Sequence, residues 1–106
     1  MAIYKNPLKL ANSFNQKEEF KPRFYKQDDE YLKIDKLPNG KFINYYQPQY
    51  YEPTDRLDYT DSASEFDTVE DAEKMLFKHR PQAVYDENIT EKDIFDFYKN
   101  KFLGGN

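Results

Sequence analysis

Cysteine and tryptophan are absent from this chain of 106 residues, and histidine occurs once. With no thiol there is no disulfide, no thiolate metal site and no cysteine nucleophile, which fits an intracellular or virion-type protein. Glycine is scarce as well. Of the three glycines two stand together at 104 and 105, which leaves no glycine-rich loop to cradle a phosphate. No apolar run approaches the roughly 20 residues of a membrane span. The opening MAIYKNPLKLANSF lacks the continuous apolar stretch of a signal peptide. Apolar residues make up 38% of the chain, below the roughly 45–50% of ordinary globular domains.

Aromatics offset that deficit, with ten Tyr and nine Phe. Each buried ring removes about 150–250 Å² from water, so a few of them build a small core. The surplus is expected on half-buried strand faces or on a contact surface, where tyrosine is favoured.

The clearest local signal is YLKIDKLPNGKFINYY, Tyr31 to Tyr46. Two β-type runs flank Pro38-Asn39-Gly40. Proline presets φ for the second position of a turn, asparagine tolerates the next, and glycine takes positive φ freely. A β-hairpin closed by a type I turn with a glycine bulge is expected. That register puts Leu32, Ile34, Phe42 and Tyr46 on one face with Asn44 among them. A two-residue Asn39-Gly40 turn would instead group Leu32, Ile34, Ile43 and Tyr45, and the local sequence admits both.

Charge divides the chain. Residues 1–26 carry six Lys/Arg against Glu18 and Glu19, a net +4, and the remainder carries −8. Residues 1–26 therefore read as an extended basic arm and 27–106 as a small domain. Pro7 and Pro22 interrupt the arm, a short helix fits only Ser13–Phe20, and Arg23–Lys26 suits a short strand. Lys5, Leu8, Lys9, Leu10, Phe14, Phe20 and Phe24 are the expected partner-binding residues: lysines to steer, apolar side chains to bury.

Beyond the hairpin, Pro48 and Pro53 favour an edge strand or an extended strap. Around them stand Tyr45, Tyr46, Tyr50, Tyr51 and Tyr59, either presented to a partner or folded back as cover for the sheet. Two helices follow. Thr68 caps the first, with Asp71 three residues on and Val69, Ala72, Met75 and Leu76 as its apolar stripe; Arg80-Pro81 stops it. Thr90 caps the second, with Asp93 three residues on. Ile94, Phe97, Tyr98 and Phe102 form its stripe, broadened by Phe95 and Leu103, and Gly104 ends it. The expected fold is α+β: a small antiparallel sheet with two C-terminal helices covering one of its faces, and an N-terminal arm.

Little in the sequence carries catalytic chemistry. His79 stands at a helix end, where its partial charge suits the dipole, and no triad pattern accompanies it. The carboxylates from Asp58 to Glu73 lack the offsets and the central glycine of a calcium loop. No enzyme activity, metal or cofactor is expected. The leading expectation is a non-catalytic interaction protein, an accessory subunit of a larger assembly. Its partners would be proteins, other copies of itself included. In composition the chain resembles small bacteriophage proteins, and a virion component is one form of this reading. A second reading is an acidic inhibitor that binds a nucleic-acid enzyme by phosphate mimicry through residues 52–73. A third is a single-strand nucleic-acid binder working through the arm. Against the third stands the acidic body behind the arm, which repels a phosphate backbone.

The hairpin reading is tested at Gly40. Gly40→Val should cost on the order of 1–2 kcal/mol, because a β-branched residue is strained at positive φ. Thermal melts of parent and variant check it, and equal midpoints would mean the turn lies elsewhere.

Overall fold

A computed structural model describes residues 19–104. Five antiparallel strands and two helices follow one another: β1 (Arg23–Gln27), β2 (Glu30–Lys36), β3 (Phe42–Tyr51), β4 (Arg56–Ser62), α1 (Val69–His79), β5 (Val84–Tyr85) and α2 (Glu91–Phe102). The strands lie in the order β4-β3-β2-β1-β5, so β4 and β5 are the two edges.

The β2–β3 hairpin forms in the bulged register. Gly40 N donates to Leu37 O at 2.9 Å, Leu37 N donates to Lys41 O at 2.7 Å, and Gly40 has φ +89°. No side chain or backbone lies within 4 Å of where a Cβ on Gly40 would stand, so the glycine serves the backbone angle and not a close approach. Lys36 pairs with Phe42 and Ile34 with Asn44. Leu32, Ile34, Asn44 and Tyr46 accordingly share one face, all at most 2% exposed, with Phe42 packed beside them.

Helix α1 seals this face. Ala72 and Leu76 join Tyr25, Leu32, Ile34 and Tyr46 in one cluster. The Thr68 hydroxyl accepts from Asp71 N at 3.1 Å, and the helix ends at Arg80, just before Pro81. Asn44 is the one fully buried polar side chain among the described residues. Its amide donates to Ala72 O at 2.8 Å and to the Tyr46 hydroxyl at 3.3 Å, and its Oδ1 has no partner among those residues.

Helix α2 lies on the other face. Lys33, between the buried Leu32 and Ile34, reaches Glu91 of α2 at 3.3 Å, and Tyr31 packs on Phe97 at 5.3 Å between ring centroids. Side chains alternate along a strand, so residues adjoining the α1 core belong to the opposite surface. The expectation that both helices cover one face is corrected here: the sheet is sandwiched between them. Each amphipathic stripe requires an apolar surface without saying which, and the aromatic residues of β1–β4 supply one on either side. The α2 cap is reciprocal: the Thr90 hydroxyl accepts from Asp93 N at 3.2 Å, and Thr90 N donates to Asp93 Oδ2 at 2.9 Å. Gly104, at φ +78°, stops the helix.

Two further boundaries differ from the sequence reading. The arm, drawn to residue 26, gives way to the sheet at Arg23, since β1 occupies Arg23–Gln27 with Phe24 and Tyr25 buried. The proline-rich strap is a second hairpin. Pro48 lies within β3 beyond the last residue paired with β2, where a missing donor harms only one ladder, and Pro53 sits in the 3-10 turn that joins β3 to β4. The short helix expected over Ser13–Phe20 lies almost wholly outside the described residues.

One residue of β3 breaks the alternation. Tyr45 and Tyr50 both face α2, although five residues apart: Tyr45 lies under Lys33 and beside Tyr59, and Tyr50 packs on Phe95 and Phe102. The reset occurs at Gln47, whose φ is +56°. Gln47 N donates to Glu30 Oε2 at 3.0 Å, and Glu30 is gripped on both carboxylate oxygens by Arg80 at 2.6 and 3.0 Å. Gln47→Val should therefore destabilise by about 1–3 kcal/mol, while Gln47→Gly leaves stability near the parent or above it. Urea unfolding measures both, and equal losses would mean that the side chain, not the backbone angle, matters at this position.

Candidate functional site

The two layers of the sandwich differ in completeness. On the α1 side six apolar residues, and Asn44 with them, are at most 2% exposed. On the α2 side Ile94 is fully buried, while Tyr31, Tyr45, Tyr50, Tyr59, Phe95, Phe97 and Tyr98 are only half-buried. Rings and lysines interleave there: Lys26 over Tyr31 and Phe97, Lys33 over Tyr45 and Tyr59, Lys99 over Tyr50 and Phe95, all at 5.1–5.8 Å. The ammonium groups stay near water while their stems cover rings, a compromise that lets a small sheet carry many aromatics.

Polar contacts fasten α2 down. The Tyr98 hydroxyl accepts from Tyr31 N at 3.1 Å and donates to Asp29 O at 3.0 Å, tying the helix to the β1–β2 turn. One residue on along the helix, Lys99 pairs at 3.1 Å with Asp55, which lies in the left-handed region at φ +53° and accepts from the Tyr50 hydroxyl. The bond to Asp55 pushes the Tyr50 phenol up to about 12. Tyr50 and Lys99 together hold the Asp55 carboxyl below the usual range. Burial, with Glu91 nearby, raises the Tyr59 phenol. Burial raises the Tyr25 phenol too, reinforced by its bond to Glu73 at 2.6 Å.

The residues singled out from sequence are distributed as follows. Lys5, Leu8, Lys9, Leu10 and Phe14 lie outside the described residues. Phe20 packs edge-on against Phe42 at 5.1 Å. Phe24 is buried in β1, 8% exposed, and its ring serves the fold. Of the strap, Tyr46 is buried under α1, where its hydroxyl meets His79 Nδ1 at 3.2 Å. That contact gives the single histidine a packing role. Tyr45, Tyr50 and Tyr59 fold back against α2, and Tyr51 alone of the five is well exposed, at 50%. Among the described residues no group of three His, Asp or Glu side chains could hold a metal ion, and no helix is long and apolar enough to cross a membrane.

Among the described residues six large apolar side chains are exposed, and they fall into two groups at opposite sides of the sheet. Phe77, Val84 and Tyr85 stand at the β5 edge. Tyr85 and Phe77 both pack on Tyr25, at 5.3 and 5.8 Å, with their outer sides open. Tyr51, Phe102 and Leu103 stand where α2 ends over the β3–β4 hairpin. Beside Tyr85 runs a groove of about 1030 Å³, walled by Phe20, Phe24 and Ile89 and rimmed by Glu19, Asp86 and Glu87 among others. Sequence reading placed Phe102 and Leu103 in a buried stripe and gave Val84-Tyr85 no role beyond a short extended piece. Phe102, the last residue of α2, packs on Tyr50 and leaves its outer side open, and the signal the sequence did offer is that Phe77 falls outside the stripe of α1.

The Tyr50–Asp55–Lys99 clasp predicts an acid response. Asp55 has a lowered folded-state pKa, so its contribution is complete above the unfolded value, 3.8, and is lost as pH falls through the folded one. Asp55→Asn, which keeps a residue suited to positive φ, should be less stable at neutral pH, and the gap to the parent should close in acid below that value. Melts across that range check it. A gap independent of pH would show that charge on Asp55 contributes nothing.

No protein-family model, no curated protein and no solved structure matches this chain.

Proposed function

We propose that this protein is a non-catalytic binding subunit that joins two neighbours within a larger assembly. The observation that carries this reading is the placement of its exposed apolar side chains in two groups at opposite sides of one sheet: Phe77 and Tyr85 at the β5 edge, with Val84 on the other face of that edge, and Phe102 and Leu103 at the end of α2, with Tyr51 on the other face of β3. Scattered apolar residues on a surface are ordinary, whereas clusters of aromatics beside a groove are the pattern of contact sites. The arm adds to it, since four lysines and several large apolar residues precede the sheet. The sandwich holds both sites at fixed separation. A virion component is the form of assembly that the composition favours.

A second reading rests on charge. Residues 52–73 hold nine carboxylates against Arg56 alone among basic residues, and they run along the β4 edge and into the head of α1. An exposed acidic strip of this kind suits phosphate mimicry toward a nucleic-acid enzyme. Salt separates the two readings, because apolar contacts persist where exposed charge pairs are screened.

The test uses the tagged full chain in its native host, with Val84→Asp and Leu103→Asp as single-patch variants. Both positions are well exposed, at 65% and 59%, so each variant should stay within about 0.5 kcal/mol of the parent in stability. Each should lose a different set of co-purifying proteins, with the parent set retained at high salt. An unchanged set in both variants sinks the reading, and a set lost on raising salt alone favours the acidic one.

A further inference from the structure

We infer that the end of α2 of one copy docks into the β5-edge groove of the next, so that copies of this chain add head to tail. The inference rests on reading both groups as protein-binding surfaces and names the occupant of each. Three features support it. The two groups lie at opposite sides of the sheet, so a two-fold pairing would join one group to itself and leave the other open. A heterologous contact satisfies both in every interior copy.

Shape agrees. The tip of α2 projects Phe102 and Leu103, 54% and 59% exposed, just before the helix stop at Gly104. The groove beside Tyr85, about 1030 Å³ with Phe20, Phe24 and Ile89 in its walls, has room for a phenylalanine and a leucine together. Tyr85, 45% exposed, offers an aromatic wall for the entering ring.

Charge agrees as well. Asp86 and Glu87 on the groove make no ion pair among the described residues, and neither does Lys101 on the tip, adjacent to Phe102. Two cations also line the groove, Lys21 and Arg23, against the three carboxylates Glu19, Asp86 and Glu87. Arg23 is engaged with Glu73 at 3.7 Å and lies over the Tyr85 ring, so the carboxylates keep the excess. A docked tip would bring Lys101 to Asp86 and Glu87, with the apolar pair inside and the ions at the rim, as in the usual anatomy of an interface.

Light scattering on the full chain over a range of concentrations tests this directly. The parent should increase in mass with concentration. Tyr85→Asp and Phe102→Asp should each weaken association about tenfold or more, since each removes a central apolar contact. Mixed together, the two variants should form a dimer that grows no further, because Phe102→Asp keeps a sound groove and Tyr85→Asp keeps a sound tip. Two exposed charge reversals, Glu87→Lys and Lys101→Glu, guard against a folding defect: each weakens assembly alone, and an equimolar mixture regains it in part through the swapped pair. A parent monomeric at every concentration overturns the inference, as does a fixed dimer that no mixture of variants restores. If co-purifying partners still depend on Val84 and Leu103 in that case, the binding-subunit reading stands while its self-assembly form falls.

Discussion

Gln47 sits in β3 with the backbone angle of a turn residue, and the sandwich is arranged around that exception. Before it, Asn44 and Tyr46 point into the α1 layer while Tyr45 points to α2. After it, Tyr50 also points to α2, five residues from Tyr45, which an unbroken strand does not allow. One strand thereby supplies both layers, and the β3–β4 hairpin leans onto the helix instead of running out into water. The kink is supported from outside the strand. Glu30 takes the Gln47 amide with one oxygen and the Arg80 guanidinium with both, linking the start of β2, the middle of β3 and the end of α1. A bidentate guanidinium–carboxylate pair fixes direction as well as distance, so it suits the task of holding an unfavourable backbone angle.

Much of the local structure was legible because it is decided by neighbours in sequence. Pro38, Asn39 and Gly40 mark the turn, while the choice of the bulged register over its two-residue competitor is seen only in the strand pairing. Thr68 and Thr90 cap their helices as their spacing to Asp71 and Asp93 implies. What was not legible is decided by distant partners. A left-handed Gln47 has no signature of its own, since glutamine is an ordinary strand residue and its angle is stabilised by Glu30, 17 positions away. Arg23–Lys26 reads as a short strand and is one, but its place inside the sheet and not in the arm depends on Leu32 and Tyr85 beside it. The same limit applied to the site. Five clustered tyrosines marked an aromatic region correctly but not its accessible ring, because burial of Tyr46 and exposure of Tyr51 follow from the faces of β3 and not from composition.

The unequal layers bear on how the protein opens. The α1 layer is sealed by a cluster of side chains at most 2% exposed, and a segment packed that way belongs to the high-stability end of local opening. The α2 layer rests on half-buried rings, a capping box, the Tyr98 tether and the Asp55 clasp. Exposed hydrogen bonds and few buried apolar contacts describe the low-stability end of a fold. The end of α2, where Phe102 and Leu103 lie open, is therefore also where a partner gains most by ordering the chain it touches.

The two edges of the sheet have different chemistry. β4 runs along one side with Arg56, Asp58 and Asp61, while β5 on the other side is only two residues long. An edge strand offers unpaired amides to any passing strand, and charges or brevity are the usual protection. Here one edge uses charge and the other uses brevity. Growth by continuous backbone pairing, the route to amyloid, is thus closed at both ends of the sheet. A polymer of the kind inferred above, held by side chains in a groove, would have an angle between successive copies set by rigid bodies, and would dissolve and reform without unfolding its subunits.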